Sequence, residues 1–205
     1  MNKKYELTDE TKEIGGITLH RIRALMDISR FGVNAGDIGG WIEKESNLSH
    51  IGSAWVCDDA RVYGNAEVYG NAWVYGNAEV YGDAEVYGDA RVSGDARVSG
   101  DARVSGDAEV CGDAEVYGNA SVCGNAKVCG DEDYMVIKNT WSSGRWFTYT
   151  RSNRMWRVGC FYGTGEELIA KAYKDSELSG KCYEAIVRAV ETIEAVQAET
   201  KGDAK

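Results

Sequence analysis

The chain has 205 residues, with 25 Gly, no Pro and a formal net charge of -10, and its mean hydropathy is -0.40. No apolar run approaches the roughly 18 residues of a membrane span, and the N-terminus MNKKYELTDE has no apolar leader region, which excludes a helical membrane protein and predicts a soluble cytoplasmic one. The charge is uneven: residues 1–50 carry 7 basic and 8 acidic side chains, residues 51–134 carry 5 and 16, and residues 135–205 carry 11 and 9, so an acidic body precedes a basic end.

Residues 1–50 predict an N-terminal β cap. Two strand-like runs flank Gly15-Gly16, and VNAGDIGGWIEKESNLSH then drifts into a six-residue spacing in which Ile42, Leu48 and Ala54 share one register. A cap is what the open edge of a repeat array requires. The only histidines of the chain are His20 and His50, and His50 falls at a core-equivalent position of that spacing, where a cap residue is expected.

From Ile51 to Tyr134 the sequence divides into fourteen hexads without insertion, as in YGNAEV, YGDARV and SGDARV. Ala and Val two apart give strand alternation with both small groups facing inward, and Gly followed by Asn or Asp supplies a corner. Three such units close a triangular coil, so residues 18 apart should stack about 4.8 Å apart in a rod of roughly 22 Å. Charges test this register. A repeat of 18 places Arg61 on Glu79, Glu79 on Arg97, Glu85 on Arg103, Arg91 on Glu109, Arg97 on Glu115 and Glu109 on Lys127, against one like pair, Glu67 on Glu85. A repeat of 12 gives five opposite and two like pairs, so 18 is favoured.

This pattern resembles the hexapeptide-repeat, left-handed parallel β-helix family, over 84 of 205 residues. The resemblance implies a mainly β fold, a parallel β-helix with 18 residues per coil and a filled Val and Ala interior. It implies no chemistry, because the motif encodes corners and core. KYELTDET, LHRIRAL and GDIGGWIEKESNLS ahead of the YGNA repeats are similar to uncharacterised proteins of bacteriophages and prophages, which implies a phage setting and assigns no residue a role.

Residues 135–205 predict a small α+β domain. YMVIKNTW, GRWFTYTRS and MWRVGCFYG read as three strands, with Ser142-Ser143-Gly144 and Ser152-Asn153 as turns. Thr164 opens a helix with Glu167 completing a capping box. After a turn near Ser179-Gly180, Cys182 to Ala198 continues helical, with Ile186, Val190, Ile193 and Val196 at mixed three- and four-residue spacing.

Trp141, Arg145, Trp146, Tyr149, Arg151, Arg154, Trp156 and Arg157 lie on adjacent predicted strands, in a stretch from Met135 to Gly165 that has no acid and also holds Lys138. Planar surfaces mixed with guanidinium groups hold bases and phosphates, so these eight are the candidate ligand-binding residues. Period-two alternation turns Trp146, Thr148 and Thr150 one way and Phe147, Tyr149 and Arg151 the other, so some of the aromatics belong to a core. The other reading docks the arginines on the acidic solenoid.

Elsewhere the plain readings prevail. Asp83 with Asp101, Asp89 with Asp107 and Asp95 with Asp113 are solvated corners, and Arg91, Arg97 and Arg103 form a salt-bridged surface. The six Cys, at 57, 111, 123, 129, 160 and 182, have no C-x-x-C pair, and four of them share one repeat position; they are expected to be repeat spacers, neither zinc ligands nor disulfide partners. No catalytic constellation, metal or cofactor is read.

The functional expectation is a non-enzymatic, phage-encoded binding protein that sequesters or inhibits a host component. It takes a nucleotide-type small molecule at the basic aromatic patch, or a host protein at the acidic rod, whose charge would imitate nucleic acid as acidic solenoids of the pentapeptide-repeat kind do. The alternatives are an acyltransferase-like enzyme, which the resemblance allows but the placement of the histidines disfavours, and a structural spacer or virion component. Trp55 and Trp73 would form an outward apolar column, and prisms of the resembled family associate, so a homo-oligomer, a trimer or a dimer, is expected.

Overall fold

The computed structural model describes residues 3–202. The chain divides into two compact units, one of residues up to Val136 with the segment Thr150–Asn153, the other of Ile137–Tyr149 with Arg154 onward.

The first unit is a parallel β-solenoid. Thirteen of the fourteen hexads contribute a two-residue strand, from Trp55–Val56 to Lys127–Val128, and those inside the stack pair with the strands 18 residues before and after them; the last hexad turns as a 3-10 helix at Asp131–Asp133. Three ladders result, and their inward columns are Val62, Val80, Val98 and Val116; Val68, Val86, Val104 and Val122; and Val56, Val74, Val92, Val110 and Val128. Every one is buried, as are the alanines two positions earlier. Backbone bonds of about 2.9 Å join successive coils, as from Trp73 N–H to the Ala90 carbonyl, so stacking satisfies the polar main chain while removing methyl groups from water. The corners need glycine twice over. Gly82 has φ of +74°, and a Cβ on it would stand 2.9 Å from the Gly100 nitrogen of the next coil.

The six opposite-charge pairs are Cα neighbours in the ladders, and the like pair, Glu67 with Glu85, is too. The coil of 18 residues is therefore the observed one. The first coil differs. Ile42 stands on Val62 and Leu48 on Val68, both 20 apart, whereas Val56 stands on Val74. The Ile42, Leu48, Ala54 register therefore breaks after Leu48, where two extra residues precede Val56, and Ala54 keeps to the alanine column. Leu48 fills the core position that the regular spacing assigns to His50.

The cap is a hairpin of β1 (Tyr5–Ile14) and β2 (Ile17–Ala24), joined at Gly15 and Gly16, both with positive φ. It continues through β3 (Ile38–Ile42) into the solenoid ladder of Val62. Tyr5 is its bolt: the ring stacks on His50 at 4.4 Å, and the hydroxyl lies within hydrogen-bonding distance of the Glu45 and Leu48 carbonyls. Trp55 is buried beneath Tyr5, and Trp73 is half-covered by Phe31, stacked on it at 4.9 Å. The exposed tryptophan column on which association was expected is thus covered by the chain's own N-terminal segment.

At the other end the last coil meets side chains instead of another strand. Asp131 accepts from the Glu115 N–H, Asp133 from those of Cys129 and Gly130, and Ser152 from that of Lys127, at 2.7 to 3.1 Å. Edge donors that could template another chain are silenced in this way.

The second unit has helices on a sheet. Strands β4 (Tyr134–Lys138, which begins in the first unit), β5 (Trp146–Thr150), β6 (Met155–Val158) and β7 (Phe161–Gly163) form a sheet in chain order, four strands where three were read, because the third run folds back at Gly159. Helix α1 (Gly165–Asp175) starts at Thr164 with the expected capping box to Glu167. Helix α2 (Glu177–Gly202) begins after Ser176 and runs unbroken through Ser179-Gly180, where a turn was expected. Gly180 is there for contact: a Cβ would run into the Tyr173 ring of α1. No described helix is long and apolar enough to cross a membrane.

Candidate functional site

Only Trp146 of β5 is exposed; Phe147, Thr148, Tyr149 and Thr150 are all buried. Phe147 is edge-on to Tyr183 of α2 at 4.7 Å, and Trp156 of β6 lies 4.9 Å from Tyr149 and 6.3 Å from Phe147. Tyr149 and Trp156, read from sequence as ligand-binding, therefore face the helices as core. A sheet carrying two helices needs one apolar face, and these strands supply it with aromatics.

Arg151 also leaves the patch. It belongs to the first unit, where its N–H donates to the Asp133 carbonyl at 2.9 Å and its guanidinium to the Glu132 carbonyl at 3.3 Å. It helps to close the last coil.

The face turned away from the helices keeps the remaining features. Trp146 is exposed, and the Lys138 Nζ sits over its ring at 4.8 Å. Arg157 lies between the buried Trp156 and Val158 and pairs across strands with Tyr162. The loop between β4 and β5 presents Trp141, 70% exposed, and also carries Arg145. Buried Asn139 holds this loop: its Oδ1 accepts from the Trp141 and Ser142 N–H groups, its Nδ2 donates to the Ser142 hydroxyl, and its own N–H donates to the Arg145 carbonyl. An exposed indole on a fixed loop loses little entropy on binding. Arg154 is exposed in the turn after β5, roughly 13 Å along the strand from Trp146, and stands apart.

Among the described residues, Lys138, Arg145, Arg154 and Arg157 have no carboxylate at ion-pair distance. The candidate residues are therefore Lys138 with Trp146, Arg157 with Tyr162, and Trp141 and Arg145 of the loop between β4 and β5. Tyr162 was missed because Phe161-Tyr162-Gly163 was not separated as a strand of its own; the Gly159 turn was the available signal.

On the solenoid, Arg91, Arg97 and Arg103 pair with Glu109, Glu115 and Glu85 at 2.7 to 3.3 Å, the salt-bridged surface that the spacing predicts. Asn65, Asn71 and Asn77 donate to Asp83, Asp89 and Asp95, and Arg30 reaches Asp89. Cys111 and Cys129, one coil apart with Cα atoms separated by 4.4 Å, form a disulfide, which corrects the reading of all six as unpaired spacers. Register is the reason, since the 18-residue coil brings like positions side by side. Cys57 is half-buried, which pushes its thiol up to about 11. His20 lies on β2 and His50 in the cap, where its Nδ1 accepts from the Lys4 N–H at 3.3 Å. A cleft of about 400 Å³ beside His50 is lined by Glu45, Ser46, Ser49, Glu67 and Tyr69.

Fold and face together describe a β-solenoid repeat protein with an appended α+β module. In the comparisons, the YdcK β-solenoid repeat model matches residues 60–76, 84–99 and 96–112, all within the hexads. No curated protein matches the chain.

Proposed function

We propose that the chain is a non-enzymatic binding protein whose C-terminal module captures a planar anionic ligand of the nucleotide type. In the setting that its N-terminal resemblance implies, it is phage-encoded, acts in the host cytoplasm and withholds a host signal or component. What supports this reading is the Lys138 ammonium over the exposed Trp146 indole, with exposed Trp141 and unpaired Arg145 on the adjoining loop and unpaired Arg157 on β6. Unneutralised cations attract phosphate, and indole faces stack on bases.

A second reading is favoured by the outward Asp columns of the solenoid: a basic host protein binds the acidic rod. Isothermal titration against a panel of linear and cyclic nucleotides separates the two. Heat is expected with at least one of them, weakened by about 1.5 to 3 kcal/mol in Arg145→Ala and Arg157→Ala and by about 1 to 3 kcal/mol in Trp141→Ala. No heat from any nucleotide, with an unchanged melting temperature, sinks the nucleotide reading and leaves the rod ahead.

A further inference from the structure

On the outward faces of the two-residue solenoid strands, every charged side chain but one is ion-paired to an adjacent coil. The exception is Glu67. It stands on Glu85, whose own carboxylate is taken by Arg103, and among the described residues nothing pairs with the Glu67 carboxylate. Glu67 lines the cleft of about 400 Å³ at the first coil, together with Glu45, His50 and Tyr69. One face of the Tyr69 ring is stacked on Tyr87 at 4.9 Å, and its hydroxyl donates to Glu85 at 2.9 Å, so the ring is held still. Leu48 pairs with Val68, which places Ser49 over Tyr69, and Ser49 is too small to cover the second ring face. The column of stacked rings therefore ends at the cleft. His50 is fixed there by Tyr5 and the Lys4 N–H, and its Nε2, 3.9 Å from Glu45, has no hydrogen-bond partner.

We infer that this cleft is a binding site for a small organic ammonium ion. An aromatic face attracts a cation, and a carboxylate beside it adds a charge-assisted contact. Glu45 already holds one alkylammonium, that of Lys3, at 2.6 Å, whereas Glu67 holds none. A cation next to Glu67 also relieves its repulsion from Glu85, which the ladder leaves uncompensated. The donor set suits an organic cation rather than a metal ion, because among the described residues no three His, Cys, Asp or Glu side chains converge. The cleft lies wholly within the first unit, so the inference does not rest on the nucleotide reading of the C-terminal module.

Isothermal titration of the full chain with choline chloride, at matched ionic strength, tests it. Saturable heat is expected, and the uncharged carbon isostere of choline is expected to bind at least roughly tenfold more weakly. Glu67→Gln should weaken binding roughly tenfold without lowering the melting temperature, since it removes a like-charge pair. Tyr69→Leu should weaken it about two- to fivefold, while Tyr69→Phe, which keeps the ring face, should bind like the parent. Ser49→Tyr extends the stack of rings into the cleft and should abolish binding in a chain with unchanged circular dichroism. Absence of saturable heat with the parent, equal binding of the isostere, or parental affinity in folded Glu67→Gln or Ser49→Tyr would overturn the inference.

Discussion

Trp55 and Trp73 are Cα partners in adjacent coils, yet one is buried and the other half-exposed, because different parts of the N-terminal segment lie over them. Tyr5 meets Trp55 edge-on at 6.4 Å, while Phe31 stacks on Trp73, whose indole N–H also donates to the Cys57 sulfur at 3.2 Å. The loop bearing Phe31 is fastened on its other side by Arg30 on Asp89 at 2.6 Å. A column that in isolation would invite a second subunit is thus consumed within the chain.

Phe31→Ala is expected to expose Trp73, shifting tryptophan fluorescence to the red and lowering stability by about 1 kcal/mol, the scale of an aromatic pair. Unchanged emission would mean that the loop does not cover the column in solution.

Val98 and Arg97 are sequence neighbours on opposite sides of the solenoid wall. Val98→Asp places a carboxyl among Val80, Val116 and the alanines, where no partner exists, and should cost roughly 2 to 7 kcal/mol. Arg97→Ala breaks a bond to Glu115 between exposed, solvent-screened side chains and should cost far less. Urea denaturation of the two variants checks the ordering, and similar midpoints would refute the inward and outward assignment.

Lys4 is buried with its Nζ on the Ala54 carbonyl at 2.6 Å, and burial lowers its pKa from 10.5 to about 8. Between those values the unfolded chain binds more protons than the folded one, so this group makes stability rise with pH from about 8 towards 10. Burial raises the Tyr5 pKa and opposes the rise above about pH 10, where the unfolded phenol ionises. Lys4→Met should therefore be more stable than the parent at pH 7, with the advantage shrinking by about 2 to 3 kcal/mol by pH 10. A difference between the two chains that is flat across this range counts against a charged, buried Lys4.

The Cys111–Cys129 disulfide closes an 18-residue loop in the last coils. Chain-entropy arguments give such a loop about 3 kcal/mol of stabilisation. Reduction should lower the melting temperature of the parent and leave Cys111→Ser unmoved; equal responses of the two chains would show that the cross-link does not act this way.

Legibility followed the range of the interactions. The hexads carry their own proof, because each strand and corner is written in six consecutive residues and the charge pattern on Arg61, Glu79, Arg97 and Glu115 reports the stacking distance. The Thr164 to Glu167 cap was equally local. The two extra residues between Leu48 and Val56 were invisible, since a six-residue count runs smoothly through His50 and only the pairing with Val68 and Val74 reveals the slip. Half of the aromatic patch failed for a related reason: alternation says that some of Trp146, Phe147, Tyr149 and Trp156 must face a core, but which side the helices occupy is a matter of packing.

The sequence by itself determined the solenoid, its 18-residue coil, its Val and Ala interior and its salt-bridged surface, because repeating short-range rules leave a closed coil one economical register. Tertiary structure alone decided what covers the ends and faces: Tyr5 over Trp55, Phe31 over Trp73, Arg151 on the last coil, Tyr149 and Trp156 under the helices, and Lys138, Trp141, Arg145 and Trp146 left outward. These contacts join residues of unrelated local sequence, and burial of an aromatic or pairing of a charge depends on which surface arrives opposite it rather than on the residues beside it in the chain.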